Sequence, residues 1–189
     1  MTNVKRIDRL ITHVRTFARQ PGEWKVVEPE QVLNSAFIIV GEQFRVHNVL
    51  VSRHIEENLL PLEADPNQLE QVFINILTNA RQVLDKKAEV VERAGEIFQK
   101  QLVCSIFREG DYVVFEFADN AYGVPEEIKL RVFEPFFTTK EPGEGTGLGL
   151  SIAYQIVTHS LSGRIWVEDN ETGGASFKVA LPIPKKVEK

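Results

Sequence analysis

Apolar residues three and four positions apart mark out the helical parts of this chain. Over residues 4–19, Val4, Ile7, Leu10, Ile11, Val14, Phe17 and Ala18 form one stripe, which Gln20-Pro21-Gly22 ends. From Pro29 a second stripe runs through Val32, Leu33, Ala36, Phe37, Val40 and Phe44. A third starts at Asp65-Pro66-Asn67-Gln68, with Asp as N-cap, Pro at the first helical position and Gln where a capping box needs it. It continues through Leu69, Val72, Phe73, Ile76, Leu77, Ala80, Val83 and Leu84. A further apolar-periodic segment follows the glycines near residue 149. Elsewhere the period drops to two. Residues 49–54 read as a short strand, and 102–108 and 112–118 alternate around Glu109-Gly110-Asp111 as a β-hairpin.

The first stripe has two readings. It is either a helix lying on its own domain or half of a helical hairpin that dimerises into a bundle; a lone helix of that length is marginal in water. The 189 residues suffice for one domain plus an appendage. A net charge of −5 argues against a general nucleic-acid binder. The single Cys104 excludes a disulfide framework and a Cys-rich metal site. No apolar run reaches the ~18 residues of a membrane span, and no signal peptide opens the chain. The expected location is cytoplasmic, with a full-length protein that could still be membrane-anchored.

Four segments carry candidate chemistry. Asn75 and Asn79 lie four apart, one above the other beside the third stripe. Two amides at a core boundary either tie down loops or offer neutral oxygen to a cation such as Mg²⁺. Asp119 ends the second hairpin strand, in Asp119-Asn120-Ala121-Tyr122-Gly123-Val124-Pro125. Its carboxylate is either an Asx-turn acid or an acceptor for an exocyclic amine such as that of adenine. Next comes Val132-Phe133-Glu134-Pro135-Phe136-Phe137-Thr138-Thr139-Lys140, whose paired Phe are core or the hinge of a mobile cover. Residues 138–147, polar and glycine-rich, are expected to form that cover. Last is Gly143-Glu144-Gly145-Thr146-Gly147-Leu148-Gly149-Leu150, a glycine loop emptying into a helix start, which suits phosphate but alone is also a common plain turn.

In order and spacing these segments resemble the asparagine, first glycine, phenylalanine and second glycine boxes of sensor histidine kinases. Those boxes define the catalytic ATP-binding domain of the superfamily shared with gyrase, Hsp90 and MutL. The resemblance covers about residues 32–184. Residues 4–19, with Phe17-Ala18-Arg19, look like the second helix of the dimerisation and phosphotransfer hairpin. It implies residues 1–22 as that helix and 23–189 as the catalytic domain, an α/β sandwich with one mixed sheet (the Bergerat fold). ATP would sit between the asparagine helix and the cover. Asn79 would coordinate Mg²⁺, with Asn75 assisting at the phosphates and Lys140 neutralising one. Asp119 would take the adenine amine, with Ala121 and Gly123 beside the base. Phe137, Thr138, Gly145, Thr146, Gly147, Leu148 and Gly149 would line the nucleotide. Ser176 either supports the adenine pocket or is a plain strand residue. The implied partners are the hairpin, a response-regulator receiver domain and a second copy of the full-length kinase.

The ATPase branches of the superfamily place a Glu one turn before the magnesium Asn, as base for water. This chain has Asn75, and an amide takes no proton at neutral pH. That favours an imidazole acceptor over water, with catalysis by positioning and charge neutralisation. Two departures stand out. The phosphoacceptor motif is absent: His13 is followed by Val14-Arg15, and His47, His54 and His159 lack the context. The acceptor is therefore expected outside this chain. Ala121 replaces the first glycine of its box and is expected to weaken nucleotide binding, by crowding the base or by excluding a positive φ. The competing readings are a nucleotide-sensing or scaffold module with weakened ATP binding, and a Ser kinase of the same fold.

Overall fold

Asp65 starts the long helix as its context predicts. Oδ1 accepts the N–H groups of Asn67 (3.0 Å) and Gln68 (3.5 Å), while Oδ2 takes the N–H of Gly22 (2.9 Å). One buried carboxylate thus caps a helix and anchors the incoming chain. The computed structural model describes residues 22–141 and 145–184. The helix expected over 4–19, His13 and the middle of the expected cover, 142–144, lie outside those residues.

In chain order the elements are β1 (Lys25–Val27), α1 (Pro29–Val46), β2 (Leu50–Ile55), β3 (Leu62–Ala64), α2 (Pro66–Arg93), β4 (Gln101–Glu109) and β5 (Tyr112–Asp119). Two 3₁₀ turns follow, at Glu126–Ile128 and Arg131–Phe133, then α3 (Gly149–Gln155), β6 (Arg164–Asp169) and β7 (Ala175–Pro182). The main sheet runs β2-β4-β5-β7-β6 and is mixed: β2 and β4 are parallel and the other neighbours antiparallel. β1 and β3 form a separate antiparallel pair. This is the α/β sandwich with a mixed sheet that the sequence implied. The hairpin turns at Gly110, whose φ of 60° suits glycine.

Register fixes which side chains meet the helices. Cys104 pairs with Phe117, Ile106 with Phe115, Phe117 with Phe177 and Val167 with Phe177, and all are buried. The alternate residues, including Glu116, Lys178 and Trp166, occupy the other face. Lys178 there bridges Glu168 (2.7 Å) and Glu116 (3.6 Å). α2 docks through Phe73, whose ring lies 4.8 Å from Phe115 and 5.4 Å from Phe117. Burial of such a side chain stabilises by roughly 1.5–3 kcal/mol. Cys104 sits in this core with its thiol pushed up to about 12 by burial, so it is inert.

The last helix is shorter than its apolar periodicity suggests. α3 has seven residues and passes into a π-helical turn, Ile156–Ser160, ending near Ser162 at φ 52°. No helix among the described residues is long and apolar enough to cross a membrane.

Candidate functional site

Phe73 points into the sheet, so residues two and six further along α2 emerge on the far flank of the helix. These are Asn75 and Asn79. The Oδ1 of Asn75 accepts from Gln71 Nε2 at 3.0 Å, but its buried Nδ2 meets no acceptor among the described residues. Buried amide donors are nearly always paired, so an orphan here is a place for an acceptor from outside the chain. Gly149, the first residue of α3, lies alongside: a Cβ on it would stand 3.9 Å from Asn75.

Asn79 faces a cation. Lys140 Nζ donates to Asn79 Oδ1 at 3.1 Å and to Gln82 Oε1 in a short bond. Two neutral oxygens one turn apart on α2 therefore converge on one positive charge. Among the described residues there is no group of three or more His, Cys, Asp or Glu that could hold a metal. A metal here would rely on amide oxygen plus oxygens of its ligand and water, a donor set that suits Mg²⁺. Thr138, Lys140 and Gly145, from the segment expected to form the cover, come together at the same place. A Cβ on Gly145 would fall 2.9 Å from Thr138 Oγ1 and 3.2 Å from Lys140 Cδ. Phe136 N–H bonds Gly147 O at 2.9 Å, and Gly147, at φ 65°, passes so close that a Cβ would meet the Phe136 carbonyl carbon at 2.5 Å. Thr146 Oγ1 accepts the Leu148 N–H at 3.4 Å, and Leu148 is buried.

Asp119 forms the other end. It makes the Asx turn, with Oδ1 accepting Ala121 N–H at 2.9 Å, and the carboxylate is buried, 2% exposed. Oδ1 also accepts Ala175 N–H at 3.4 Å, which leaves Oδ2 for a donor from outside. Burial pushes this carboxyl up to about 6, against the pull of the two N–H groups and the charge of Lys87. The β6–β7 turn clasps the same residue from behind. Asn170 Nδ2 and Thr172 Oγ1 donate to Asp119 O at 2.8 and 3.4 Å, and a Cβ on Gly174 would collide with that carbonyl. Gly123 lies against Asp169, whose Oδ1 would be 2.8 Å from an added Cβ.

Two expectations need correcting, for Ser176 and Ala121, and the open reading of the paired Phe is decided against core. Ser176 pairs with Ala118 and Glu168, so it lies on the sheet face opposite Asp119; its neighbour Ala175 is the residue beside the carboxylate. Ala121 does not crowd the cleft: it is 1% exposed, its methyl belongs to the core, and its φ is not positive. Ala121→Gly is therefore expected to leave nucleotide affinity within about twofold, ~0.4 kcal/mol; titrating both proteins with Mg-ATP checks this, and a tenfold gain would restore the crowding argument. The reading as a module crippled at this position loses its support. Phe136 and Phe137 are not core. Phe136 is 69% exposed at φ 65°, Phe137 lies half-buried under Arg131 (4.6 Å), and Phe133 is the buried anchor, packed on Tyr154 and Phe177. His47 pairs with Asp85 at 2.8 Å, in a cluster with Arg81 and Lys100 that ties α1 to α2.

Residues 64–185 match the family described as histidine kinase-, DNA gyrase B-, and HSP90-like ATPase. The two-component sensor PprA of Pseudomonas aeruginosa is 34% identical over 186 residues, 98% of this chain and 19% of PprA. The nucleotide-free catalytic domain of histidine kinase ThkA superposes with a TM-score of 0.72 at 26% identity, covering 86% of this chain and 97% of that one. ThkA in complex with the response regulator TrrA aligns at 0.70 and 25% identity, over 98% of this chain and 50% of that one. The chain belongs to this family, in its histidine-kinase branch, as a catalytic ATP-binding domain. It spans about a fifth of the length of PprA.

Proposed function

We propose that this chain binds Mg-ATP between α2 and the 138–149 segment and transfers the γ-phosphoryl group to a histidine outside the chain, for relay to a response-regulator aspartate. Residues 1–22 act as the second helix of the hairpin that carries that histidine, 23–189 act as the catalytic domain, and the whole kinase works as a homodimer in the cytoplasm. The observation that carries the reading is the amide at position 75. One turn before Asn79, where a hydrolase needs a base for water, stands a side chain that cannot take a proton. The P–O bond to the departing ADP then breaks as a P–N bond forms to an imidazole nitrogen, which is already a good nucleophile.

Each end of the cleft has its part. Asp119 Oδ2 accepts the adenine amine, with Gly123 and Phe137 beside the base. The orphan Nδ2 of Asn75 donates to a phosphate oxygen, together with Thr138 and the backbone N–H groups of Gly145, Thr146, Gly147, Leu148 and Gly149. Lys140 neutralises phosphate charge. Asn79 would hold the Mg²⁺, which when bound offsets charge on the phosphates. The likeness to ThkA in complex with TrrA supports a receiver domain as the next partner.

Incubated alone with γ-³²P-ATP, the chain is expected to remain unlabelled, and to label an added hairpin fragment carrying a phosphoacceptor histidine. Acid-labile phosphate on His13 of the isolated chain, or acid-stable phosphate on a Ser of the partner, would overturn the reading.

A further inference from the structure

We propose that Lys87 is a positioning residue of the adenine pocket: its ammonium, held on the carbonyls of Asn120 and Ala121, fixes the turn that aims the Asp119 carboxylate. Lys87 Nζ donates to Asn120 O at 2.7 Å and to Ala121 O at 2.8 Å. The peptide plane between Asn120 and Ala121 thus has its C=O on Lys87 and its N–H on Asp119 Oδ1 at 2.9 Å. That plane is rigid, so the lysine sets the direction of the N–H that holds the carboxylate. A charged donor on the C=O also polarises the N–H on the other side.

The lysine is itself held. Its ammonium lies 4.7 Å from the Phe98 ring centre and 5.5 Å from that of Tyr122. It stands on α2 eight residues after Asn79, about 12 Å along the same helix. One rigid element thereby carries the group proposed at the phosphates and, through Lys87, fixes the group proposed at the base. The spacing between the two ends of the nucleotide is then set by a helix rather than by a loop.

Lys87 also faces Asp119 electrostatically. It is the charged side chain of α2 that draws the carboxyl downward against burial. From the β6–β7 side, Asn170 and Thr172 reach only the Asp119 carbonyl, and Asp169 is engaged by Lys129 at 2.9 Å. Removing Lys87 should therefore raise the Asp119 midpoint above about 6.

The inference rests on the nucleotide reading above, and two measurements separate their failures. Mg-ADP affinity is measured by calorimetry from pH 6 to 8 for the parent, Lys87→Met and Lys87→Arg. Met keeps the apolar stem against Phe98 and Tyr122 and drops the donors. The expected result is about tenfold weaker binding by Lys87→Met at pH 8, a ratio to parent that widens toward pH 6.5, and recovery in Lys87→Arg. The phosphates titrate alike in all three, so they cancel in the ratio. In the nucleotide-free proteins, the ¹³Cγ titration of Asp119 is expected to shift upward in Lys87→Met only. Parent-like affinity and midpoint in Lys87→Met, or equal loss in the Arg variant, would overturn the positioning role alone. A parent that does not bind Mg-ADP would instead sink the nucleotide reading. If Lys87→Met does not fold, Lys87→Gln takes its place in both measurements.

Discussion

Asp119→Asn is expected to weaken Mg-ATP binding and to strengthen the empty fold. Oδ1 accepts two backbone N–H groups, from Ala121 and Ala175, so an asparagine must place its oxygen there. Its NH₂ then occupies the Oδ2 position and meets the adenine amine donor to donor. The lost charge-assisted bond should cost about 1.5–3 kcal/mol, roughly 10- to 150-fold in affinity. The empty protein gains for the opposite reason. Burial raises the carboxyl from 3.8 to about 6, so the folded state binds the proton more tightly than the unfolded chain. The parent is accordingly most stable, as far as this group is concerned, below pH 4. It loses stability as pH rises toward 6 and stays at the lower value above that. The full shift corresponds to about 3 kcal/mol, and the asparagine variant escapes it, so a gain of about 1–3 kcal/mol at pH 8 is expected. Urea unfolding of both proteins at pH 4.5 and pH 8 checks this. A stability difference that does not grow with pH would show that the buried charge is not costly. Nucleotide binding by the parent should also fade as pH drops below 6, where the acceptor becomes protonated.

The elements that local pattern could announce were legible. The Asp65-Pro66 start, the stripe of α2 and the turn at Gly110 depend on neighbours within a few residues, and each formed where its pattern placed it. Asn79 and Asp119 were legible as polar groups at the margin of an apolar element. What stayed hidden depends on partners far along the chain. Ser176 could be given a face only once β7 was registered on β5, because a strand has period two and a one-residue shift reverses it. The Ala121 methyl could be judged only against a core assembled from distant segments. Lys87 sits in the run Asp85-Lys86-Lys87, which reads as a solvated helix flank; nothing local says that its ammonium meets carbonyls 33 and 34 residues away. Gly174 carried no local signal, yet its missing side chain is what admits the Asp119 carbonyl. Gln82 gave no signal at all until Lys140 was seen bonded to it and to Asn79.

Asn79→Ala is expected to abolish the dependence of nucleotide affinity on Mg²⁺ while leaving the fold intact. The side chain is only half-buried, it accepts from Lys140, and alanine is the best helix former. Stability should therefore hold or rise slightly, by up to ~0.7 kcal/mol. Function should not. Asn79 Oδ1 shares Lys140 with Gln82, so the oxygen already points at a site that attracts positive charge. Without it the metal keeps only phosphate and water oxygens, and the loss is expected at about 1.5–3 kcal/mol. Titrating ATP with and without Mg²⁺ isolates this term. In the parent the metal should tighten binding; in Asn79→Ala the two curves should converge, and transfer to an added hairpin should fall in step because neutralisation of phosphate charge is most of what the site offers the reaction. Gln82→Ala is the discriminating companion. It removes a second α2 oxygen from Lys140 but not the one assigned to the metal, so it should loosen Lys140 and keep the Mg²⁺ increment. If Asn79→Ala retains the full increment and Gln82→Ala loses it, the metal ligand is Gln82 and the assignment of Asn79 falls.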